Sequence, residues 1–261
     1  IRKEWVKNWI PFTPSLGLDY HLITSLKFHG LASYNYRVPS LNDLYWNPGG
    51  NVNLKPENGW SYEAGIGFEK IINKISVYQD VTVYTRTIKD WILWTPSYGI
   101  WTPENIQQVW SRGLESETRI SIPISKVTLQ IKNSFAFTKS TNESNLASTD
   151  ERIHKQLIYV PLYTGQFNYG VTFKKTTLML NHTYTGYRYT SSDHSQYLEP
   201  YFMHNVNFSY QINFKKVDID LQFQINNLLN SNYQVLAARP MPGIHYRGGI
   251  VFNFKSNYGK S

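Results

Sequence analysis

The chain has 261 residues, enough for one large domain, and carries 26 Lys and Arg against 18 Asp and Glu, a formal charge of +8. The basic residues are scattered, many at expected turns, and form no basic helix or basic-aromatic motif, which argues against a nucleic-acid partner. No cysteine is present, so no disulfide framework or thiolate metal site can form.

Charged residues make up only 17% of the chain and aromatics 16%, with 20 Tyr and 8 Trp. That balance suits a membrane barrel with one lipid-facing side, one wet side and aromatic girdles. No run approaches the ~18–20 apolar residues of a transmembrane helix, which excludes a helical span but not a barrel. The chain opens on Ile1-Arg2-Lys3-Glu4 without a secretory leader, as expected of a mature product or the C-terminal part of a longer protein.

In chain order, alternation of apolar and polar residues predicts about eleven strands, near 14–22, 25–37, 59–69, 74–95, 107–122, 125–140, 157–173, 176–190, 200–213, 216–230 and 244–254. The third sets Trp60, Tyr62, Ala64, Ile66 and Phe68 against Ser61, Glu63, Gly65, Gly67 and Glu69. The sixth sets Val127, Leu129, Ile131, Phe135 and Phe137 against Thr128, Gln130, Lys132, Ser134 and Thr138. The tenth is the cleanest, with Val217, Ile219, Leu221, Phe223 and Ile225 opposing Asp218, Asp220, Gln222, Gln224 and Asn226. No amphipathic helix is expected.

The connections alternate between short and long. Short ones fall near 23–24, 71–73, 125–126, 174–175 and 215–216, and long ones near 38–58, 96–106, 141–156, 190–199 and 231–243. Outer-membrane barrels place short turns in the periplasm and long loops outside. The expected fold is therefore an all-β, transmembrane, antiparallel up-and-down barrel, with extracellular long loops and a periplasmic C-terminus. Eleven strands cannot close in lipid with two unpaired edges, so residues 1–254 are expected to form half of a larger barrel, followed by a short extension at 255–261.

Between Tyr36 and Glu69 the wording itself is informative. Arg37, Pro39, Ser40, Leu41, Leu44 and Tyr45, then Gly50, Asn51, Leu54, Pro56, Glu57 and Glu63, closely resemble a signature region of TonB-dependent outer-membrane receptors. Tyr84–Trp94, Asn105–Glu115, Asn226–Asn230 with Tyr233, and Pro240–Gly243 resemble later segments of the same family. Two positions depart from it: Ile244 follows the final Pro-Gly where Arg is usual, and Lys255–Ser261 extend past the terminal aromatic Phe254. The resemblance implies about half of a 22-stranded barrel that encloses a plug domain. It implies import of a scarce bulky solute, powered through the TonB complex. The implied partners are the plug and first barrel half, TonB, outer-membrane lipid and the transported small molecule, with a surface lipoprotein as a further candidate.

No catalytic constellation, phosphate loop or His-Glu-x-x-His is present, and no cofactor is implied. A lipase would need an outward His beside a Ser; His182 and His204 fall on outward faces, where membership of the interfacial girdle is the plainer reading. The expected ligand contacts are outer-loop groups: Tyr45, Trp46, Asn51, Trp94, Tyr98 and Trp101. Trp91 and Trp110 lie close by, and for Trp91, Trp94 and Trp110 a girdle role competes. Arg37, Glu63, Asp80 and Glu115 should face the lumen and pair with the plug. The Trp-Asn-Pro-Gly-Gly loop looks closest to cobalamin receptors, and residues 40–50 hold no His of the kind that ligates haem iron. Cobalamin is thus the expected cargo, with a siderophore or haem as alternatives in the family. A passive porin-like channel or a surface adhesin is the alternative outside it.

Overall fold

The computed structural model describes residues 11–143 and 153–255. The expected extension from 256 to 261 and the part of a long connection at 144–152 lie outside them. Eleven strands form one antiparallel sheet: β1 (Ser15–Ile23), β2 (Leu26–Arg37), β3 (Glu57–Ile72), β4 (Ile75–Ser97), β5 (Ile100–Ile124), β6 (Val127–Asn142), β7 (Tyr163–Phe173), β8 (Thr176–Thr185), β11 (Tyr201–Asn213), β12 (Val217–Asn226) and β13 (His245–Phe254). Between β8 and β11, the two-residue strands β9 (Arg188–Tyr189) and β10 (Tyr197–Leu198) make a separate small hairpin. Every strand of the large sheet pairs with its neighbour in sequence order, so the path is up-and-down throughout. Among the described residues β1 and β13 pair on one side only.

Register converts the alternation of each strand into two continuous faces. Glu63 opposes Leu31 and Tyr84; Asp80 opposes Gly67 and Glu117; Glu117 opposes Ser134, which opposes Gln166, which opposes Thr183. That face carries the charges and amides, including a ladder in which Asn207 donates to Asn181 and Asn181 to Asn168. The other face carries Ile66, Val83, Phe135, Tyr169, Leu180, Phe208, Phe223 and Ile250, every one of them exposed. Polar-face residues line hollows of about 560 and 490 Å³. The buried apolar residues are few: Leu54, Tyr84, Ile92, Val109, Leu157 and Ile158. They gather toward one end of the sheet, not between two layers. A protein that exposes one whole apolar face and buries little else has no soluble core.

The two ends differ as expected. One end has tight turns, such as Asn73-Lys74 with φ of 48° and 74°. The other carries the connections 38–56, 143–162, 186–200 and 227–244. The connection expected at 96–106 is instead a two-residue turn, Tyr98-Gly99, with φ of 49° and 82°, at the tip of a β4–β5 hairpin that outgrows its neighbours. Pro96 and Pro103 read as strand breakers in the sequence. Here β3 pairs with β4 only as far as Lys89 and β6 with β5 only from Val109, so the projecting strands each have a free edge that tolerates proline.

Three further boundaries moved. Residues 157–162 were expected to begin β7, but Leu157 and Ile158 are buried beneath a reversal at Tyr159, whose φ is 58°. β8 stops at Thr185, where the Gly186 N–H turns to the Tyr163 carbonyl. β12 stops at Asn226 because Asn227 adopts φ 51°. A five-residue helix, α1 (Leu41–Tyr45), also appears in the first long connection, where no helix was expected. Asn227 is completely buried; its amide donates to the Ser231 carbonyl at 2.9 Å and accepts from the Ser231 N–H at 2.8 Å.

Asn227→Ala should therefore leave the half-buried Ser231 N–H and carbonyl without this partner and lower stability by about 1–2 kcal/mol. Asn232→Ala, at an exposed position in the same loop, should change it by no more than about 0.5 kcal/mol. Urea midpoints followed by tryptophan fluorescence would separate the two.

Candidate functional site

The first long connection, 38–56, is built around α1. Ser40 caps the helix: its hydroxyl accepts from the Asp43 N–H at 3.2 Å, while the Asp43 carboxylate accepts from the Ser40 N–H at 2.8 Å. This reciprocal arrangement satisfies donors that a helix start leaves open. The other Asp43 oxygen accepts from the Trp94 indole N–H at 2.9 Å, tying the helix to the projecting hairpin, and Arg37 lies 3.8 Å away. Burial pushes the Asp43 carboxyl up. The Ser40 and Trp94 hydrogen bonds and the Arg37 charge outweigh it, and the net shift is below the usual carboxylate range.

A second node sits directly beneath. Arg37 makes a two-pronged pair with Glu57, Nε donating to Oε2 at 2.6 Å and Nη2 to Oε1. Glu57 Oε1 also accepts from the Ile92 N–H at 2.7 Å. Two strand ends and the hairpin thus meet on one buried carboxylate, whose side chain is 8% exposed. Loop and hairpin are clamped a third time through amides. Asn105 exchanges hydrogen bonds with the Lys55 backbone and donates to the Asp90 carbonyl, and the Asn51 amide donates to the Pro103 carbonyl at 3.2 Å. The Gly-Gly of the Trp-Asn-Pro-Gly-Gly run has a packing reason. A Cβ on Gly49, whose φ is 120°, would fall 2.2 Å from the Trp101 carbonyl oxygen, and one on Gly50 would fall 2.6 Å from the Trp46 nitrogen.

The six expected ligand residues separate under this geometry. Trp94 and Asn51 spend their polar groups on Asp43 and on Pro103 and Asn53. Tyr45, Trp46, Tyr98 and Trp101 are exposed, at 57%, 56%, 106% and 39%. Trp101 also lies 6.1 Å from the Tyr159 ring, which brings the connection 143–162 to the same rim. Trp110 lies elsewhere, on the apolar face, where its indole donates to Thr85 Oγ1 at 2.8 Å. The Trp91 indole nitrogen is buried without a partner among the described residues. Farther round, Tyr187, Tyr189, His194 and Tyr197 pack together, with Tyr189 and His194 stacked at 3.4 Å. Hydrogen bonds from Ser191 and Ser195 hold the exposed Asp193 carboxyl down at about 2. None of these rings is among the six expected ligand residues, although four aromatic rings within eleven residues of one loop are a signal the sequence carries.

The four expected lumen charges all lie on the polar face but differ in company. Arg37 is paired with Glu57, a residue the sequence reading quoted without assigning it a role. Asp80 accepts from Thr82 at 2.8 Å and meets His29 at 3.0 Å. Glu63 and Glu115 have no hydrogen-bond or ion-pair partner among the described residues, and each lines one of the two hollows. On the apolar face His182 and His204 face each other through their Nδ1 atoms, flanked by Tyr169 and Phe202. Their along-strand neighbours on that face are Leu180, Tyr184, Phe202 and Val206, so no serine nucleophile adjoins them. No group of three or more potential metal ligands occurs among the described residues.

The sequence matches the family described as TonB dependent receptor-like, beta-barrel over residues 6–228, and the chain belongs to that family. The family is one of receptors, not enzymes. The vitamin B12 transporter of Photobacterium profundum is 25% identical over 227 residues, which cover 85% of this chain and 34% of that protein. The ferric enterobactin receptor of Pseudomonas aeruginosa superposes with a TM-score of 0.64 at 18% identity, covering 92% of this chain and 40% of that one. The ferric preacinetobactin receptor of Acinetobacter baumannii gives 0.66 at 15% identity, covering 92% and 36%. The chain therefore spans little more than a third of the length of these relatives.

Two outcomes follow from the nodes. Asp43→Asn should raise amide exchange across residues 40–51 about tenfold, since losing a cap costs about 1 kcal/mol or more. The Asp43 pKa is lowered in the folded protein, so its contribution is present above the unfolded value of about 3.9 and is lost as pH falls through the folded value. Exchange measured at stepped pH should show this loop loosening only on that acid limb. Glu57→Gln should cost about 1 kcal/mol, because Arg37 is half exposed and keeps Asp43 at 3.8 Å, and should lower the thermal midpoint of the folded protein.

Proposed function

We propose that this chain is the C-terminal half of the barrel of a TonB-dependent outer-membrane transporter that imports a scarce, bulky, metal-bearing nutrient. The observation that carries the reading is an eleven-stranded sheet, in a chain of this family, with one apolar face exposed and, among the described residues, one open edge on each of β1 and β13. An open edge in lipid leaves N–H and C=O groups unpaired at several kcal/mol each, so β1 and β13 need further strands. A barrel of 22 strands built with the remaining two thirds of a relative's length supplies them. Residues 1–254 then form the barrel half and 255–261 a short extension. The tight turns lie in the periplasm and the connections 38–56, 143–162, 186–200 and 227–244 outside. The polar face looks onto a plug, with Glu63 and Glu115 as the carboxylates open to pairing with it. TonB, outer-membrane lipid, the cargo and a surface lipoprotein complete the partners.

Cargo is captured at the outer rim by Tyr45, Trp46, Tyr98 and Trp101, whose exposed rings offer flat area to a bulky chelate. A ferric siderophore stands ahead of the cobalamin expected from the wording of the first loop. Receptors named for ferric siderophores share the fold. Cobalamin stays as the second reading because relatives similar in sequence are named vitamin B12 transporters.

Deletion of the gene, with growth scored on limiting ferric siderophore, cobalamin and haem in turn, tests cargo and activity together. Loss of growth confined to the siderophore is the expected result; loss confined to cobalamin would reverse the order of the two. Unchanged growth on all three, or a full-length gene lacking a plug and TonB box, would remove active import. Trp46→Ala should weaken cargo binding about tenfold without changing the thermal midpoint, whereas Trp94→Ala should lower the midpoint by releasing Asp43; titration calorimetry and thermal unfolding read the two effects separately.

A further inference from the structure

Arg112 on β5 and Lys139 on β6 are direct cross-strand partners, and both lie on the apolar face. Like charges placed opposite each other destabilise a sheet unless something neutralises them. Neither has a carboxylate partner among the described residues. The Arg112 guanidinium lies 3.7 Å over the Trp110 ring and donates to Thr141 Oγ1 at 3.0 Å and to the Trp110 carbonyl. Glu143 accepts from the same Thr141 hydroxyl and meets His154 Nδ1 at 2.7 Å, and makes no hydrogen bond or ion pair with Arg112 or Lys139 among the described residues. The Lys139 ammonium makes no hydrogen bond or ion pair among the described residues.

The height of the pair identifies what could cover it. Lys139 stands twelve residues up β6 from Val127, where the tight turn ends. For a strand tilted ~40° that is roughly 30 Å along the membrane normal, just above an apolar band about 25 Å tall. The row below holds Leu114, Phe137 and Tyr163, and the row above holds Tyr34, Trp60 and Trp110, with Tyr34 and Trp60 rings 5.4 Å apart. Two cations with no ion pair among the described residues, set between an apolar band and an aromatic row, sit at headgroup level. Trp110, held in place by Thr85, fixes the guanidinium in advance.

We propose that Arg112 and Lys139 form a clamp for the phosphate of an anionic lipid headgroup in the outer leaflet. The proposal rests on the outer-membrane reading above, since it takes the apolar face as the lipid-facing one. The phosphate oxygens would accept from the free guanidinium N–H groups and from the Lys139 ammonium, removing the like-charge repulsion while the acyl chains lie along Leu114 and Phe137.

The full-length receptor, purified in a neutral detergent, would be titrated with diphosphoryl lipid A. Lys139→Gln should weaken binding about fivefold and the Arg112→Gln/Lys139→Gln double variant about 25-fold, the factor that corresponds to about 1 kcal/mol per basic residue at a membrane surface. Lys174→Gln/Lys175→Gln, at a tight turn on the opposite end, should stay within twofold of the wild type. Lipid A stripped of phosphate should not distinguish wild type from the double variant, and 10 mM inorganic phosphate should not displace the intact lipid. A double variant that binds within twofold of wild type overturns the clamp, as does a control variant that loses as much. Displacement by inorganic phosphate would assign the pair to a soluble anion instead and overturn the lipid assignment. Recovery in the outer-membrane fraction is scored for every variant: a wild type that never enters the membrane overturns the lipid-facing reading itself, whereas an inserted double variant with unchanged lipid binding overturns the clamp alone.

Discussion

Cross-strand register is the constraint on which everything else here depends. Each pair in the sheet meets its sequence neighbour antiparallel, and the pairings run unbroken from β1 to β13. Side chains alternate with a period of two, so a slip of one residue at any pair would carry Glu63, Asp80 or Glu115 to the apolar side. Backbone pairing, not a packed interior, therefore supplies the order, and the two faces are its by-product. The scarcity of buried apolar residues follows directly: a single sheet of this kind has nothing to bury between layers.

Order at the rim comes from a different source. Three carboxylate or amide nodes, centred on Asp43, Glu57 and Asn105, bind the first long connection to the β4–β5 hairpin. Each uses a side chain to satisfy backbone or indole donors that the sheet does not reach. The small apolar cluster of Leu54, Ile92, Val109, Leu157 and Ile158 gathers at the same end. The rim is thus a compact platform, and the exposed rings of Trp46 and Trp101 are presented from it on held backbone. Preorganisation of that kind limits the ordering cost of capturing a ligand.

The apolar face is not uniform either. Most of it is aliphatic or aromatic, but Arg112 and Lys139 interrupt it near one end and His182 and His204 interrupt it farther round. Charges tolerated on a lipid-facing side concentrate where the hydrocarbon ends, because the penalty falls steeply toward the interface. Trp110 stands beside the Arg112–Lys139 pair through its contacts with Thr85 and Arg112, whereas Trp94, earlier in the chain, ties the first long connection to the β4–β5 hairpin. Two tryptophans that look alike in the sequence are divided by register alone.

Sequence by itself determined the all-β antiparallel pattern, the alternation of faces, the asymmetry of the two ends and the family, because each is a local pattern repeated along the chain. It also placed Arg37, Glu63, Asp80 and Glu115 on one face, since parity within a strand needs no knowledge of neighbours. Tertiary structure alone decided which of these are already paired: Arg37 finds Glu57 twenty residues on, and Asp80 meets His29 across two strands. It also decided that 96–106 continues as strand, because proline is acceptable only where a strand edge is free, and a free edge is a property of the neighbours. The same holds for Asn51 and Trp94, whose polar groups turned out to hold the loop to the hairpin. Long-range partners consume hydrogen-bonding capacity in ways that no local pattern records.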